Sequence, residues 1–188
     1  MGKLAVIVKK RCKWCNINNP KYVEYHDNEW CQPNFDDKYL YEMLILESFQ
    51  AGLSWECVLK KRDSFRLAYD GFDLEKVCAY GDKKMAELLN NENIIRNKLK
   101  IKASIGNSII FRKIVCEYGS FYNYLKGFAG ESIIYEIDKT TNDLSDAISE
   151  DLQKRGMKFV GSTIIYSYLQ AIGMIYSHEE GCCLYKDL

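Results

Sequence analysis

The two histidines of this 188-residue chain and two of its eight cysteines lie where they could hold one metal ion. His178 and Cys182 are four residues apart, a spacing that puts two side chains on one face of a helix or tight turn. Cys12 and His26 lie near the other end and need a looped segment between them to meet. Two thiolates and two imidazoles suit tetrahedral zinc. Because four protein ligands leave no open position, we expect a structural ion that ties the two ends of the chain together.

Other interpretations of these cysteines stay open. Cys15 and Cys183 are neighbours that could replace a ligand, and any of the four residues could instead be an ordinary buried side chain. Cys12 and Cys15 also have the C-x-x-C spacing of redox motifs. No β-α-β pattern surrounds them, which argues against that use.

An acidic residue inside an apolar helical stretch is the second candidate for chemistry. In MLILESFQAGLSW, Glu47 follows Met43 by four residues and Leu44 by three, so the three share one helix face. A buried carboxylate is costly unless it is paired or used. Glu47 could be bonded to a nearby backbone N–H or lysine, or it could bind a polar or cationic ligand.

Aromatic residues gather in the same parts of the sequence as this acid. They are Trp14, Tyr22, Tyr25, Trp30 and Trp55. Aromatic faces stack on flat bases and attract cations. A carboxylate among aromatic rings therefore favours a flat, positively charged heterocycle as the ligand.

A glycine-bounded connection in KRGMKFVGSTIIYSYLQ could bind an anion. One helix is predicted to end at Arg155, and Ser162 or Thr163 is predicted to open the next. Backbone N–H groups of such a hairpin suit a DNA phosphate. Residues 154–158 add three basic side chains, and residues 93–113 contain six basic and no acidic ones. An ordinary helix–helix turn and a solvated helix face are the alternatives.

The elements that would position these residues are predicted to be almost entirely helical. Apolar periodicity and capping residues predict helices over 36–52, 54–71, 73–80, 82–121 (two or three helices, broken at Asn90-Asn91 and Gly106), 142–156 and 162–176. Strand-like runs are scarce, and the best candidate is SIIYEI at 132–137. Both prolines precede the first clear helix. The predicted fold class is all-α.

Bulk composition agrees with a single soluble domain. The chain is 47% hydrophobic and 28% charged, with zero formal net charge, which argues against a purely electrostatic nucleic-acid coat protein. No apolar run approaches the roughly 18 residues of a membrane span, and no signal peptide is apparent. We therefore expect a cytoplasmic protein with reduced thiols and no membrane contact.

Several stretches, in this order, resemble the bacterial type I 3-methyladenine DNA glycosylases. They are CKWC, YVEYHDNEW, LESFQAGLSWECVLKKR, ENIIRNKLKIKASIGN, MKFVGSTIIYSYLQAIG and HEEGCC. YHDNEW and QAGLSW are the most specific. The resemblance spans roughly residues 11 to 185, so residues 1–10 are interpreted as an N-terminal extension and 11–188 as a single helical glycosylase domain.

The resemblance implies a helix-hairpin-helix glycosylase fold with one structural zinc on Cys12, His26, His178 and Cys182. It implies that Glu47 recognises the methylated base while Tyr25 and Trp55 pack on it. The other substrate-binding candidates are Tyr22, Trp14, Trp30 and Ser167. The DNA-binding candidates are Gly52, Leu53, Lys158, Gly161 and Ser162, with Leu53 filling the gap left in the duplex.

The function implied is excision of 3-methyladenine from double-stranded DNA by a monomeric, monofunctional enzyme that releases the free base. The segment after Gly161 offers no Asp or Glu before Glu179 and no obvious catalytic lysine, so a lyase step is not expected. One alternative is a catalytically silent module that binds alkylated DNA on the same scaffold. Another is a zinc-stapled protein whose aromatic pocket binds a different small cation.

Overall fold

A computed structural model describes residues 9–186, and these residues are mostly helical. The helices are α1 (Pro20–Asn28), α2 (Asp37–Gln50), α3 (Trp55–Lys60), α4 (Arg62–Ala68), α5 (Leu74–Cys78), α6 (Asp82–Asn90), α7 (Lys98–Tyr118), α8 (Phe121–Ala129), α9 (Asp143–Lys154) and α10 (Ser162–Ala171). A 3₁₀ turn, Asp70–Phe72, follows α4. None of the helices within 9–186 is long and apolar enough to cross a membrane. Most of the predicted extension lies outside the described residues, so the boundary after residue 10 stays a prediction.

Polar side chains cap the N-termini of three of the longer helices. Asp36 accepts hydrogen bonds from the backbone N–H groups of Lys38 and Tyr39 and caps α2, as predicted. Asn97 caps α7 in the same way. Asn142 and Ser145 cap α9 reciprocally, which is a capping box.

Helix α2 is the central element of the core. Its ten consecutive residues from Leu40 to Phe49 are all buried. The helix packs against α3, α7, α8 and α10, so it is covered on every side. A polar residue in its last turns is therefore inside the protein, and this is how Glu47 becomes buried.

Several of the predicted helices differ from the structure. The prediction missed α1, although Pro20 at its first turn is favourable there, and it also missed α8. The stretch 54–71 is two helices that meet at Lys61 rather than one. The predicted break at Gly106 is wrong, because α7 runs through it for 21 residues.

The last predicted helix stops earlier than expected. It ends at Ala171, and Gly173 (φ 78°) turns the chain away. A β-carbon on Gly173 would lie only 2.3 Å from the backbone nitrogen of Pro33, so the close approach of these segments requires glycine. The chain then forms strand β2 (Ile175–Tyr176), which pairs in parallel with β1 (Ile134–Tyr135). β1 lies in the predicted strand, whereas β2 was predicted as helix.

A tight turn links α2 to α3. Ala51 has φ −44° and ψ 114°, Gly52 has φ 75°, and the N–H of Leu53 donates to the carbonyl of Gln50 at 2.6 Å. These angles define a type II turn, whose third position needs the left-handed backbone that glycine adopts most easily. The turn leaves Leu53 42% exposed at its tip.

Replacing Gly52 by alanine tests this assignment. No atom lies within 4 Å of the added β-carbon, so backbone strain alone should lower the free energy of unfolding, by about 1 kcal/mol. Gly106→Ala is the matched control, because Gly106 lies inside α7 with equally open space. It should raise stability by about 1 kcal/mol. Urea unfolding of both variants measures the difference, and a shift of the same sign in both would contradict the turn assignment.

Candidate functional site

One cavity of about 320 Å³ collects the predicted substrate-binding residues. It is lined by Trp14, Tyr22, Tyr25, Trp30, Glu47, Gln50, Trp55, Asp138, Lys139, Ser167, Gln170, Ser177 and Glu179. Glu47 and every substrate-binding residue predicted from the sequence are among them. Six further lining residues were not predicted, and they come from four separate segments of the chain.

Six parts of the chain build the cavity, and one of them is the segment after β2 with Ser177 and Glu179. The segment around α1 supplies four aromatic rings, and the start of α3 supplies Trp55. Glu47 and Gln50, one turn apart on α2, supply polar groups, and α10 adds Ser167. The connection after β1 closes the wall with Asp138. Helix α1, which sequence periodicity missed, is therefore essential to the site.

The aromatic rings pack at steep angles to one another. The ring centroids of Trp14 and Trp30 are 4.7 Å apart with planes at 74°, and those of Tyr25 and Trp55 are 5.4 Å apart at 51°. Such arrangements are favourable between aromatic rings. Because the rings are not stacked on each other, they leave ring faces available to a flat ligand in the cavity.

Several polar atoms of the cavity lack hydrogen-bond partners within residues 9–186. The side chain of Glu47 is 2% exposed, and its Oε2 has no hydrogen-bond partner within residues 9–186. Within these residues, Gln50 Oε1 and the indole N–H groups of Trp14 and Trp55 are also buried and have no hydrogen-bond partner. Unsatisfied buried polar groups are rare and costly in native proteins. Several such groups around one cavity indicate a ligand that supplies the missing hydrogen bonds.

Burial raises the pKa of Glu47 well above its ordinary value. The phenol of Tyr25, on the same cavity, also has a raised pKa, because of its burial and the nearby Glu47. A positively charged ligand would oppose the first shift by stabilising the carboxylate.

The raised pKa of Glu47 predicts a pH-dependent stability. The unfolded chain releases the Glu47 proton near the ordinary pKa of 4.5, whereas the folded protein keeps it until the pH reaches the raised pKa. The stabilising contribution is therefore complete below pH 4.5 and is lost as pH rises through the raised folded pKa. The free energy of unfolding, measured for the parent and for Glu47→Gln, should fall with pH more steeply in the parent. Parallel curves would contradict the assigned shift.

The four predicted metal ligands form a second site. One donor atom from each of Cys12, His26, His178 and Cys182 lies within 4.8 Å of all the others, and all four residues are buried. Cys182 Sγ is 3.5 Å from His26 Nε2 and 3.6 Å from His178 Nδ1. Cys12 Sγ is 3.5 Å from the same His178 nitrogen. Two sulfurs and two nitrogens converging in this way fit a tetrahedral metal ion.

A further layer of contacts orients these donors. Asp27 Oδ1 lies 2.8 Å from His26 Nδ1, which leaves Nε2 directed at the sulfurs. Arg11 binds both carboxylate oxygens of Asp27, and these bonds lower the pKa of Asp27 to about 2. The N–H of Glu179 donates to Cys12 Sγ at 3.4 Å. The rival ligand Cys15 is not in the group, because its thiol lies 3.8 Å from the carbonyl of Tyr22.

The predicted hairpin joins α9 to α10 through residues 155–161. Gly156 (φ 103°) and Phe159 (φ 57°) have left-handed backbones that reverse the chain. The side-chain amide of Asn107 on α7 binds both the N–H and the carbonyl of Lys158, each at 2.9 Å. Ser149 donates to the carbonyl of Val160 at 2.8 Å. The hairpin is thus held from two sides.

The charge of the hairpin differs from the prediction. Lys154 pairs with Glu150 at 2.7 Å, and Arg155 pairs with both Asp151 and Glu117 at 2.7 Å, so neighbouring acids offset both. Lys158 is exposed and forms no ion pair within residues 9–186. The hydroxyl of the predicted Ser162 donates to Asp146, while Gly161 precedes the first turn of α10. Lys158 is therefore the cation that the hairpin itself presents.

Known proteins share this fold and sequence. A family profile described as methyladenine glycosylase matches residues 14–185. DNA-3-methyladenine glycosylase 1 of Escherichia coli (strain K12) is 42% identical over 183 residues, which are 94% of this chain and 97% of that protein. A crystal structure of 3-methyladenine DNA glycosylase I superposes with a TM-score of 0.90 at 38% identity, covering 94% of this chain and 100% of that one. A variant of such an enzyme in complex with 3-methyladenine gives 0.87 at 31%, covering 92% and 96%.

The helical fold of this chain is that of a solved 3-methyladenine DNA glycosylase, and the aromatic cavity lies within it. The profile match runs from Trp14 to Tyr185 and so includes every cavity-lining residue and three of the four converging donors. The chain belongs to the methyladenine glycosylase family of DNA repair enzymes.

Proposed function

We propose that the protein is a monofunctional glycosylase that flips 3-methyladenine out of alkylated double-stranded DNA and hydrolyses its N-glycosidic bond. The observation that supports this most is Glu47, a buried carboxylate with an unpartnered oxygen among aromatic rings, in a chain of this family. A related structure with 3-methyladenine bound is consistent with the same ligand class.

Charge selects the lesion in this proposal. Methylation at N3 gives the adenine in DNA a positive charge, which a normal adenine lacks. Glu47, freed of its proton, would attract that charge inside a site from which water is largely excluded. The faces of Tyr25 and Trp55 would pack on the purine and add cation–π attraction. Trp14, Tyr22, Trp30 and Ser167 would complete the walls around the base.

The DNA would be held at two places outside the cavity. The hairpin would bind the phosphate backbone through Lys158 and through the N–H groups near Gly161 and Ser162, which begin α10. The exposed Leu53, on the turn formed by Gly52, would enter the space that the flipped base leaves in the duplex.

The chemical step follows from the charge on the base. The C1′–N9 bond breaks and the electron pair leaves with the base, so that cationic 3-methyladenine departs as a neutral molecule. Water adds its oxygen to the resulting oxocarbenium-like C1′ and loses a proton to solvent. Helix α10 (STIIYSYLQA) carries no lysine that could form a Schiff base, so the DNA strand would stay intact.

We propose zinc as the ion held by Cys12, His26, His178 and Cys182. Two sulfur and two nitrogen donors, all buried, match the preference of zinc, and four protein ligands leave no position for a substrate. The ion would fasten the segment before α1 to the end of the chain, and both segments contribute walls to the cavity. The proposed enzyme acts as a monomer in the cytoplasm.

Incubation with methylated duplex DNA tests the proposed activity. Catalytic amounts of protein should release free 3-methyladenine, seen by chromatography, and leave abasic sites in unbroken strands. Undamaged DNA is the control and should release no base. Tight binding of methylated DNA without base release would instead identify a silent damage-binding module. Strand cleavage at the abasic site would contradict the monofunctional assignment.

A further inference from the structure

Lys100 is a buried lysine outside the cavity that the proposed chemistry does not use. Its side chain is 6% exposed, whereas Lys102 on the same helix is exposed. Lysine is almost never this buried unless its amine is paired. The paired groups of Lys100 are therefore informative about why it lies there.

The amine of Lys100 binds the end of α2. Nζ donates to the carbonyl of Phe49 at 2.7 Å and to the carbonyl of Ala51 at 2.6 Å. These are carbonyls of the last helical turn and of the type II turn, which the helix itself leaves without partners. A cation at a helix C-terminus also interacts favourably with the helix dipole. Lys100 thus holds the backbone on either side of Gln50.

The same lysine reaches toward the hairpin. Its amine lies 5.8 Å from the ring centroid of Phe159, within the range of a cation–π contact. Two turns further along α7, Asn107 binds the backbone of Lys158. Helix α7 therefore carries one buried polar side chain for the turn and one for the hairpin, so it sets the distance between them.

We propose that Lys100 is a positioning residue for base flipping, which fixes the Ala51–Leu53 turn so that Leu53 enters the duplex while the hairpin holds the backbone. The inference rests on the proposed glycosylase function. Lys100 does not line the cavity and bonds backbone carbonyls rather than any lining side chain, so the free base should keep nearly all of its contacts without it. Its effect belongs to the step in which the flipped nucleotide is stabilised.

Three measurements on Lys100→Met separate this role from general support of the fold. The kcat for base release from methylated duplex should fall roughly tenfold or more, since a small misplacement of a positioning group has effects of this size. Affinity for undamaged duplex DNA should stay within about twofold, because Asn107 still holds the hairpin. Affinity for free 3-methyladenine, followed by tryptophan fluorescence, should also stay within about twofold.

Two further variants complete the design. Lys100→Arg keeps the donors and should recover most of the lost kcat. Lys38→Met is the matched control at the opposite, exposed end of α2 and should retain the parent kcat. If Lys100→Met does not fold, as judged by circular dichroism, Lys100→Gln keeps one donor group and undergoes the same three measurements.

The outcomes distinguish this inference from the proposed function. A parent protein that releases no base would remove the function itself. An active parent with unchanged kcat in Lys100→Met would overturn the positioning role. A parallel loss of free-base affinity and kcat would also overturn it, since Lys100 would then support the cavity as a whole.

Discussion

Glu47→Gln is expected to lower the single-turnover rate of 3-methyladenine release at least about 100-fold, the size of effect seen when one preorganised electrostatic group is removed from an active site. Glutamine has nearly the same shape, so the cavity keeps its volume and its aromatic walls. What disappears is the negative charge that attracts the cationic base in a site with little water. Because the buried carboxylate is costly to the fold, the variant should be at least as stable as the parent.

Glu42→Gln is the matched control for this result. Glu42 is also a buried acid on α2, but its Oε1 is paired with Arg62 at 2.6 Å and with Arg66 at 2.8 Å. Removing one partner of a buried ion pair should cost about 3 kcal/mol of stability. At a temperature where it is folded, this variant should release base at nearly the parent rate. Equal rates for Glu47→Gln and the parent would remove Glu47 from its assigned role.

Loss of the metal ligand set is the second large expected effect. His178→Ala leaves three of the four donors and should bind much less than one equivalent of zinc. Structural zinc contributes many kcal/mol to the folds that it holds together, so Tm should fall by roughly 10 °C or more. Activity should fall as well, because Trp14 follows Cys12 closely and both Ser177 and Glu179 flank His178 in the cavity wall.

Cys183→Ala serves as the control for the metal site. Cys183 is exposed and adjacent to Cys182, but it is not among the converging donors. It should retain one zinc equivalent, measured by atomic emission, and the Tm of the parent. A full equivalent of zinc with unchanged Tm in His178→Ala would contradict the ligand assignment.

Residue types that are costly to bury could be located from the sequence. Glu47 lies in an apolar helical run, and the two histidines lie near cysteines at opposite ends of the chain. Their chemistry could therefore be predicted without knowledge of their neighbours in the fold. The structure brings these residues together in one cavity and one donor group. Their roles toward a base and a zinc ion remain predictions.

Features that depend on tertiary pairing could not be predicted. Helix α1 is only nine residues long and begins with a proline, so it has little periodicity of its own and forms against the core. The pairing of Arg155 with Glu117 joins residues 38 positions apart and offsets a positive charge that was predicted for the hairpin. Gln50 could have been predicted, because it lies one helical turn from Glu47. Asp138 could not, because only the fold brings it to the cavity.

A crystal structure of the protein with saturating 3-methyladenine tests the central claim most directly. The account predicts the purine inside the cavity, its faces against Tyr25 and Trp55 and its polar edge within hydrogen-bond distance of the Glu47 carboxylate. The indole N–H groups or Gln50 should gain the partners that they lack within residues 9–186. A purine bound elsewhere on the protein, with the cavity filled only by solvent, would contradict it.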